Sequence, residues 1–319
     1  MYQHSKILAL ACLVLTANTQ AIQSLNNKEI NTMQYIQLST QVGQLAANLY
    51  LPQGVDYPPV VIVMGAWTTV KEQMPATYAQ ALSEKGYAAV TFDFSGWGSS
   101  DDEIKYLEDP VRKTADIKAV IEAVRTLPQV DGSRIAGLGI CASAGYMLDA
   151  ASGNDGIRLV AVVAPWLHDK AVAREIYGGD EATAGLLAAA QQAEQAAQPS
   201  YIEAASLTNE QALMYQAPYY TEPERGFIAQ YDNQFNIASW TGWLNYDALS
   251  GAANQDKPVL MVASPAMALP AGAKRYLQSS GDNVTLVWLD DITQFDFYDQ
   301  PDAVGRAVDA VSAHFATSL

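Results

Sequence analysis

The chain has 319 residues, half of them apolar, two cysteines and a net charge of −16. That length suits one large α/β domain, or a core with an inserted subdomain. The acidic balance disfavours nucleic acid and anionic membrane surfaces as partners.

Residues 1–21 read as a secretory signal peptide. Lys6 and the amino terminus form the positive end, Ile7 to Ala17 the short apolar stretch, and Thr19-Gln20-Ala21 the cleavage position. The apolar stretch is too short to span a bilayer, and Ala9-Leu10-Ala11 makes a poor lipid-attachment box before Cys12. The expectation is a periplasmic or secreted protein with no membrane attachment after signal removal. The mature chain then keeps Cys141 alone, which excludes an intramolecular disulfide. A lone thiol in an oxidising compartment points to a chemical role.

Tyr35 to Ser39 and Gln44 to Leu51 alternate as an antiparallel hairpin. Pro59 to Met64 is a continuous apolar run, as in a strand covered on both faces. Ala76 to Lys85 reads as a helix stopped by Gly86, and Ala88 to Phe94 as the next strand, before the turn-rich Ser95 to Ser100. Pro110 to Leu127 is a helix with proline in its first turn. Ile135 to Ile140 is a buried strand, Ala142 to Ala151 a helix, and Leu159 to Ala164 a sixth strand. Past Pro165 the alternation lapses. It resumes with a strand at Pro258 to Ala263, a helix at Pro270 to Gln278, a strand at Val284 to Leu289 and a helix from Pro301.

This order predicts an α/β fold with a mostly parallel sheet and helices on both faces. The divisions are a signal peptide at 1–21, a core at 22–168, an insertion at 169–250 and the rest of the core at 251–319. The insertion is alanine- and glutamine-rich over Ala182 to Ala197, then carries ten aromatics from Tyr201 to Tyr246. It reads as a cap over the sheet's carboxyl edge. About a third of those aromatics are expected to face a pocket, and the rest to form the cap's own core.

Cys141 lies between the strand ending at Ile140 and the helix that follows, in Gly139-Ile140-Cys141-Ala142-Ser143. Small neighbours on a strand-to-helix turn let a strained backbone present a nucleophile at the top of a sheet. Active sites in such sheets lie beyond the carboxyl ends of the strands. The helix N-terminus should favour the thiolate, so an accessible, reactive thiol is expected. The competing reading is a small buried cysteine filling core space.

Three stretches in order resemble the α/β-hydrolase superfamily: Gly65 to Gln73 after a strand, Asp93 to Ser100 as Asp-x-x-Gly-x-Gly-x-Ser, and Leu138 to Tyr146 around Cys141. Within it, the chain from residue 34 onward is similar to the cysteine-nucleophile branch of dienelactone hydrolases and fermentation-respiration-switch esterase-like proteins. The resemblance implies an α/β-hydrolase fold with a helical cap inserted after the sixth strand. It also implies Cys141 as nucleophile and an oxyanion hole from the amides of Ala142 and of Ala66 or Trp67. Related sequences carry Thr-His-x-Asp-x-Tyr-Asp after the last strand. Here Thr293 to Asp299 places Gln294 at the histidine position, and a carboxamide is no general base near neutral pH. Ala263 to Pro270, where the acid is expected, contains no carboxylate.

His168 follows the sixth strand on the same carboxyl edge and is the candidate base, with Asp169 to orient its ring. The competing reading is a cap-hinge histidine bound to backbone. His314, in the last helix, reads as structural. Two isolated histidines and no paired cysteines predict no metal site, and no cofactor is expected. The leading reading is an exported hydrolase of a small-molecule carboxylic ester, thioester or lactone with an incomplete triad. The alternative is a catalytically impaired protein of the same fold that binds a small molecule. A weaker third reading is a lyase or isomerase that uses the oxyanion hole without covalent catalysis.

Overall fold

Runs of apolar and β-branched residues become the strands of one eight-stranded sheet. The computed structural model describes residues 32–319. The signal peptide expected at residues 1–21, with Cys12, lies outside the described residues. In chain order the core opens with β1 (Thr32–Thr40), β2 (Gly43–Leu51), β3 (Pro59–Met64), α1 (Met74–Glu84), β4 (Ala88–Phe92), α2 (Pro110–Val124), β5 (Asp131–Ile140), α3 (Ser143–Ala151) and β6 (Leu159–Val163). Then come α4 (Lys170–Ile176), α5 (Gly179–Gln195), β7 (Tyr201–Glu203), β8 (Ala205–Ser206), β9 (Met214–Tyr215), α6 (Pro218–Thr221), β10 (Gln234–Asn236) and α7 (Ser239–Asn245). The core resumes with β11 (Val259–Ala263), α8 (Pro270–Ser279), β12 (Val284–Trp288), α9 (Asp296–Asp299) and α10 (Pro301–Phe315).

The strand order is β1-β2-β4-β3-β5-β6-β11-β12. β2 runs antiparallel to β4, and the pairs from β4 to β12 are parallel. The central strands are apolar throughout because helices cover both faces: Val60, Val61, Ile62 and Val63 are fully buried. Local chemistry sets several boundaries. Asp109 caps α2 by accepting from the Val111 and Arg112 amides, with Pro110 at the first helical position. β4 stops at Phe92, short of the Phe94 expected, because the Asp93 carboxylate folds back to the Lys71 and Ser99 amides.

The insertion departs from a purely helical cap. After α4 and α5 it forms two small two-stranded sheets, β7 with β10 and β8 with β9, before α7. Residues 33–319 form one compact unit with the insertion included. The reason is packing: Trp243 of α7 stacks on Trp67 of the core at 4.8 Å, and Phe235 and Trp240 meet the same indole edge-on.

Candidate active site

Cys141 has φ 57, in the left-handed region. A non-glycine residue is held there only when its surroundings over-determine it, at about 1–2 kcal/mol. Here the Cys141 amide donates to the Val163 carbonyl (3.1 Å), and the Trp166 amide donates to the Cys141 carbonyl (3.0 Å). Both bonds tie the turn to the end of β6. Gly139 permits the tight entry into α3, since a Cβ there would lie 2.5 Å from the Ser143 carbonyl oxygen. The strand-to-helix turn around Cys141 read from the sequence is therefore formed.

The accessible thiol expected from the sequence is not what forms. Cys141 is only 7% exposed. Burial pushes its thiol above the ordinary value, outweighing hydrogen bonds to the sulfur from the Tyr298 hydroxyl and from the Ala142 and Trp67 amides. The helix N-terminus does favour the thiolate, through the Ala142 amide, but desolvation is the larger effect. Of the two amides expected to act with that of Ala142, the Ala66 amide is engaged by the Met74 sulfur of α1 at 3.5 Å, and the Trp67 amide bonds the Cys141 sulfur.

Above the sulfur lies a cavity of about 500 Å³. Trp67, Trp166, Trp243, Tyr177, Ile176, Leu213, Met214, Phe295, Tyr220 and Tyr298 form most of its wall, with Cys141, Ala142 and Gln294. No Asp, Glu, His, Lys or Arg is among its described lining residues. Of the insertion's ten aromatics, about a third of which were expected at the pocket, Tyr220 and Trp243 reach it. Others, such as Phe235 and Trp240, fill the contact between insertion and core.

The charge sits behind the site. Glu108 and Lys113 are buried and paired at 2.8 Å. The Glu108 carboxylate also accepts from the Thr68 amide (3.0 Å) and the Tyr146 hydroxyl (2.9 Å). It thereby ties the loop that carries Trp67 to α2 and α3. Burial lowers the Lys113 pKa, against the pull of Glu108, and the ammonium sits over the Phe94 and Trp97 rings at 4.5 and 4.4 Å. Beside it, Asp93 binds the Lys71 ammonium (2.7 Å) and the Lys71 and Ser99 amides.

The remaining predicted site residues take other roles. Gln294 lines the cavity, and both of its amide protons are used. Its Oε1 accepts from the Ala268 amide (2.9 Å), and its Nε2 donates to the Ala164 carbonyl (3.1 Å) and the Tyr298 hydroxyl (2.9 Å). No donor is left for substrate. Ser264 stands at the start of the segment where an acid was sought, and its hydroxyl bonds the Ile292 carbonyl.

His168 is buried and does not line the cavity. The Trp166 indole donates to its Nδ1 (3.1 Å), so Nε2 carries the proton and donates to the Trp243 carbonyl (2.9 Å). Burial lowers its pKa further. A ring with both nitrogens engaged cannot take a proton from Cys141, so the backbone-bound hinge reading is the one the geometry supports. Asp169 does not orient it. Its carboxylate caps α4 at the Val172 amide (2.9 Å) and pairs with Arg275. His314 is half-buried and bonds the Val160 carbonyl, in keeping with a structural role.

One contributor escaped the sequence reading. Tyr298 lies four residues after Gln294, inside a stretch already singled out, and that spacing was the available signal. Tyr220 is already among the insertion's aromatics considered for the pocket. Among the described residues, no group of three or more His, Cys, Asp or Glu side chains is placed to hold a metal ion.

Against known proteins, the family model of the X-Pro dipeptidyl-peptidase (S15 family) matches residues 43–264. Protein YcjY of Escherichia coli (strain K12) is 38% identical over 122 residues, which are 37% of this chain and 40% of that protein. Protein PA2218 of Pseudomonas aeruginosa is 35% identical over 127 residues, 39% of this chain and 34% of that one. The chain thus spans well under half the length of these relatives. Over the fold the likeness is broader. The crystal structure of PA2218 superposes with a TM-score of 0.78 at 22% identity, over 90% of this chain and 94% of that one. The α/β hydrolase GrgF from Penicillium sp. sh18 superposes with a TM-score of 0.72 at 18% identity, over 89% and 99%. A dienelactone hydrolase from Anabaena variabilis gives 0.55 at 13% identity, over 90% and 98%. The sheet and its neighbours bear out the α/β-hydrolase fold expected from the sequence.

Proposed function

The chain belongs to the X-Pro dipeptidyl-peptidase (S15) family, and from that premise we propose that it is a hydrolase of neutral, apolar esters, thioesters or lactones acting through Cys141. The observation that carries this reading is the position of the sulfur. It lies in the wall of an uncharged cavity, hydrogen-bonded by the Ala142 and Trp67 amides. The same two donors suit the oxygen of a carbonyl under attack from that sulfur. The cavity also argues for esters over the peptides in the family's name. A free N-terminal ammonium would find no carboxylate among the described lining residues. The composition of residues 1–21 supports export to the periplasm or the medium.

Turnover should be slow. General-base assistance is worth about 10²–10⁴ in rate, and the described wall of the cavity offers none. The test is hydrolysis of short-chain p-nitrophenyl esters, simple thioesters and lactones by the protein and by Cys141→Ala. Slow cleavage lost in the variant is the expected result, and a rate unchanged by the substitution on every substrate would overturn it.

A second reading, a binding protein with an inactive site, is favoured by one specific observation: the locked Gln294 amide at the customary base position. It predicts ligand binding by both proteins and cleavage by neither.

A further inference from the structure

The polar groups at the sulfur share one property: they are donors. Two are backbone amides, and the third is the Tyr298 hydroxyl. The direction of that third bond is set from behind. The Tyr298 oxygen accepts from Gln294 Nε2 at 2.9 Å. A phenolic oxygen has two lone pairs and one proton. With Gln294 held as the donor, the Tyr298 proton is free to point at Cys141, which lines the same cavity. Gln294 in turn cannot flip to present its oxygen, because the Ala268 amide and the Ala164 carbonyl fix its orientation.

A donor-only site treats the two halves of acyl chemistry unequally. Attack by the thiolate and departure of the leaving group both build negative charge on oxygen, which donors stabilise. Release by water needs the opposite service, a group that accepts a proton from the incoming nucleophile. None of the described residues lining the cavity is a carboxylate, imidazole or amine. Both His168 nitrogens are bonded elsewhere, and the Gln294 carboxamide and the Tyr177 hydroxyl are too weakly basic to take a proton near neutral pH. The cavity wall is apolar besides, which makes it a poor site for ordering water.

We propose that Cys141, with Tyr298 as a locked proton donor, forms a long-lived acyl-enzyme and hands its acyl group to an uncharged amine or thiol in the apolar cavity in preference to water. This rests on the reading of Cys141 as nucleophile. In the first step the sulfur–carbon bond forms and the carbon–oxygen bond of the ester breaks. The leaving oxygen takes the Tyr298 proton, and Tyr298 regains the proton lost by the thiol on ionising. The sum is Cys141–SH plus R–CO–OR′ giving Cys141–S–CO–R plus R′OH. In the second step a neutral amine R″NH₂ attacks the thioester carbon without base assistance. The carbon–sulfur bond breaks, one amine proton passes to the sulfur, and the amide R–CO–NHR″ leaves.

The test uses the whole protein, p-nitrophenyl butyrate as donor and aniline, neutral at pH 8, as acceptor. The expected result has four parts: a burst of p-nitrophenol approaching one equivalent, a butyryl group on Cys141 by peptide mass spectrometry, slow release in water, and release accelerated by about tenfold or more with aniline. Butyranilide must form faster than from aniline and the butyryl thioester of N-acetylcysteine in solution. Tyr298→Phe should slow the burst while leaving the adduct's lifetime in water unchanged. A purely structural role for the hydroxyl would move stability or both rates together. An adduct that water clears as fast as it forms, or one whose lifetime aniline does not shorten, overturns the transfer proposal and leaves the hydrolase reading standing. Absence of any Cys141 adduct from esters, thioesters and lactones alike overturns both.

Discussion

The two sides of the Cys141 turn are built on opposite electrostatic plans. In front, the described wall of the cavity carries no charged side chain, and the sulfur meets only neutral donors. Behind, Glu108, Lys113, Asp93 and Lys71 are buried as ion pairs saturated by backbone amides and hydroxyls. The difference teaches a division of labour. A charge in the cavity wall would have to be desolvated afresh by every apolar ligand. Placed one layer back, the same charge is desolvated once, at folding, and spends its strength on the loop that carries the Trp67 amide.

The sharpest way to break that comparison is to remove the rear charge. Glu108→Ala leaves Lys113 buried without its partner and should cost about 3–5 kcal/mol of stability. Urea unfolding would measure it, and a loss below about 1 kcal/mol would mean that the rear cluster is held by something other than the pair.

Asp149 offers a milder contrast, since burial raises its pKa to about 6, against the hydrogen bond from Tyr246 and the pull of Lys118. Its folded value lies above the unfolded one, so it stabilises the fold most below about pH 4. That contribution is lost as pH rises through about 6. Asp149→Asn keeps an acceptor for Tyr246. It should therefore raise stability at pH 7 by about 1–3 kcal/mol and flatten the stability profile between about pH 4 and 6. Denaturant midpoints across that range would show it, and an unchanged profile would place the titration elsewhere.

The smallest effect is expected at His168. His168→Gln retains a polar side chain between Trp166 and Trp243, and should cost about 1 kcal/mol in the same unfolding assay. Ester cleavage should persist. Its loss in a fully folded variant would restore His168 to the chemistry.

What the sequence made legible was whatever depends on neighbours along the chain. β3 is an uninterrupted apolar run, Pro110 and Asp109 announce α2, and small residues flank Cys141 because the turn into α3 leaves no room beside Gly139. Most of the missed features depend on a distant partner. The Ala66 amide looked as available as that of Trp67 until Met74 of α1 covered it. His168 looked free until the indole of Trp166 and the carbonyl of Trp243, 75 positions away, closed both its nitrogens. Tyr298 keeps its proton for the cavity because Gln294, four residues earlier, donates to its oxygen. Periodicity and motif spacing report the backbone's path; they do not report which hydrogen-bonding groups that path leaves vacant.

The stack of Trp67 on Trp243, 4.8 Å apart with planes 27° off parallel, also gives the molecule an optical handle. Of its six tryptophans, three (Trp67, Trp166 and Trp243) face the cavity. A ligand entering there touches half of the chain's indoles at once. Its arrival is thus written into the intrinsic fluorescence and into the near-ultraviolet dichroism of the stacked pair, with no label attached.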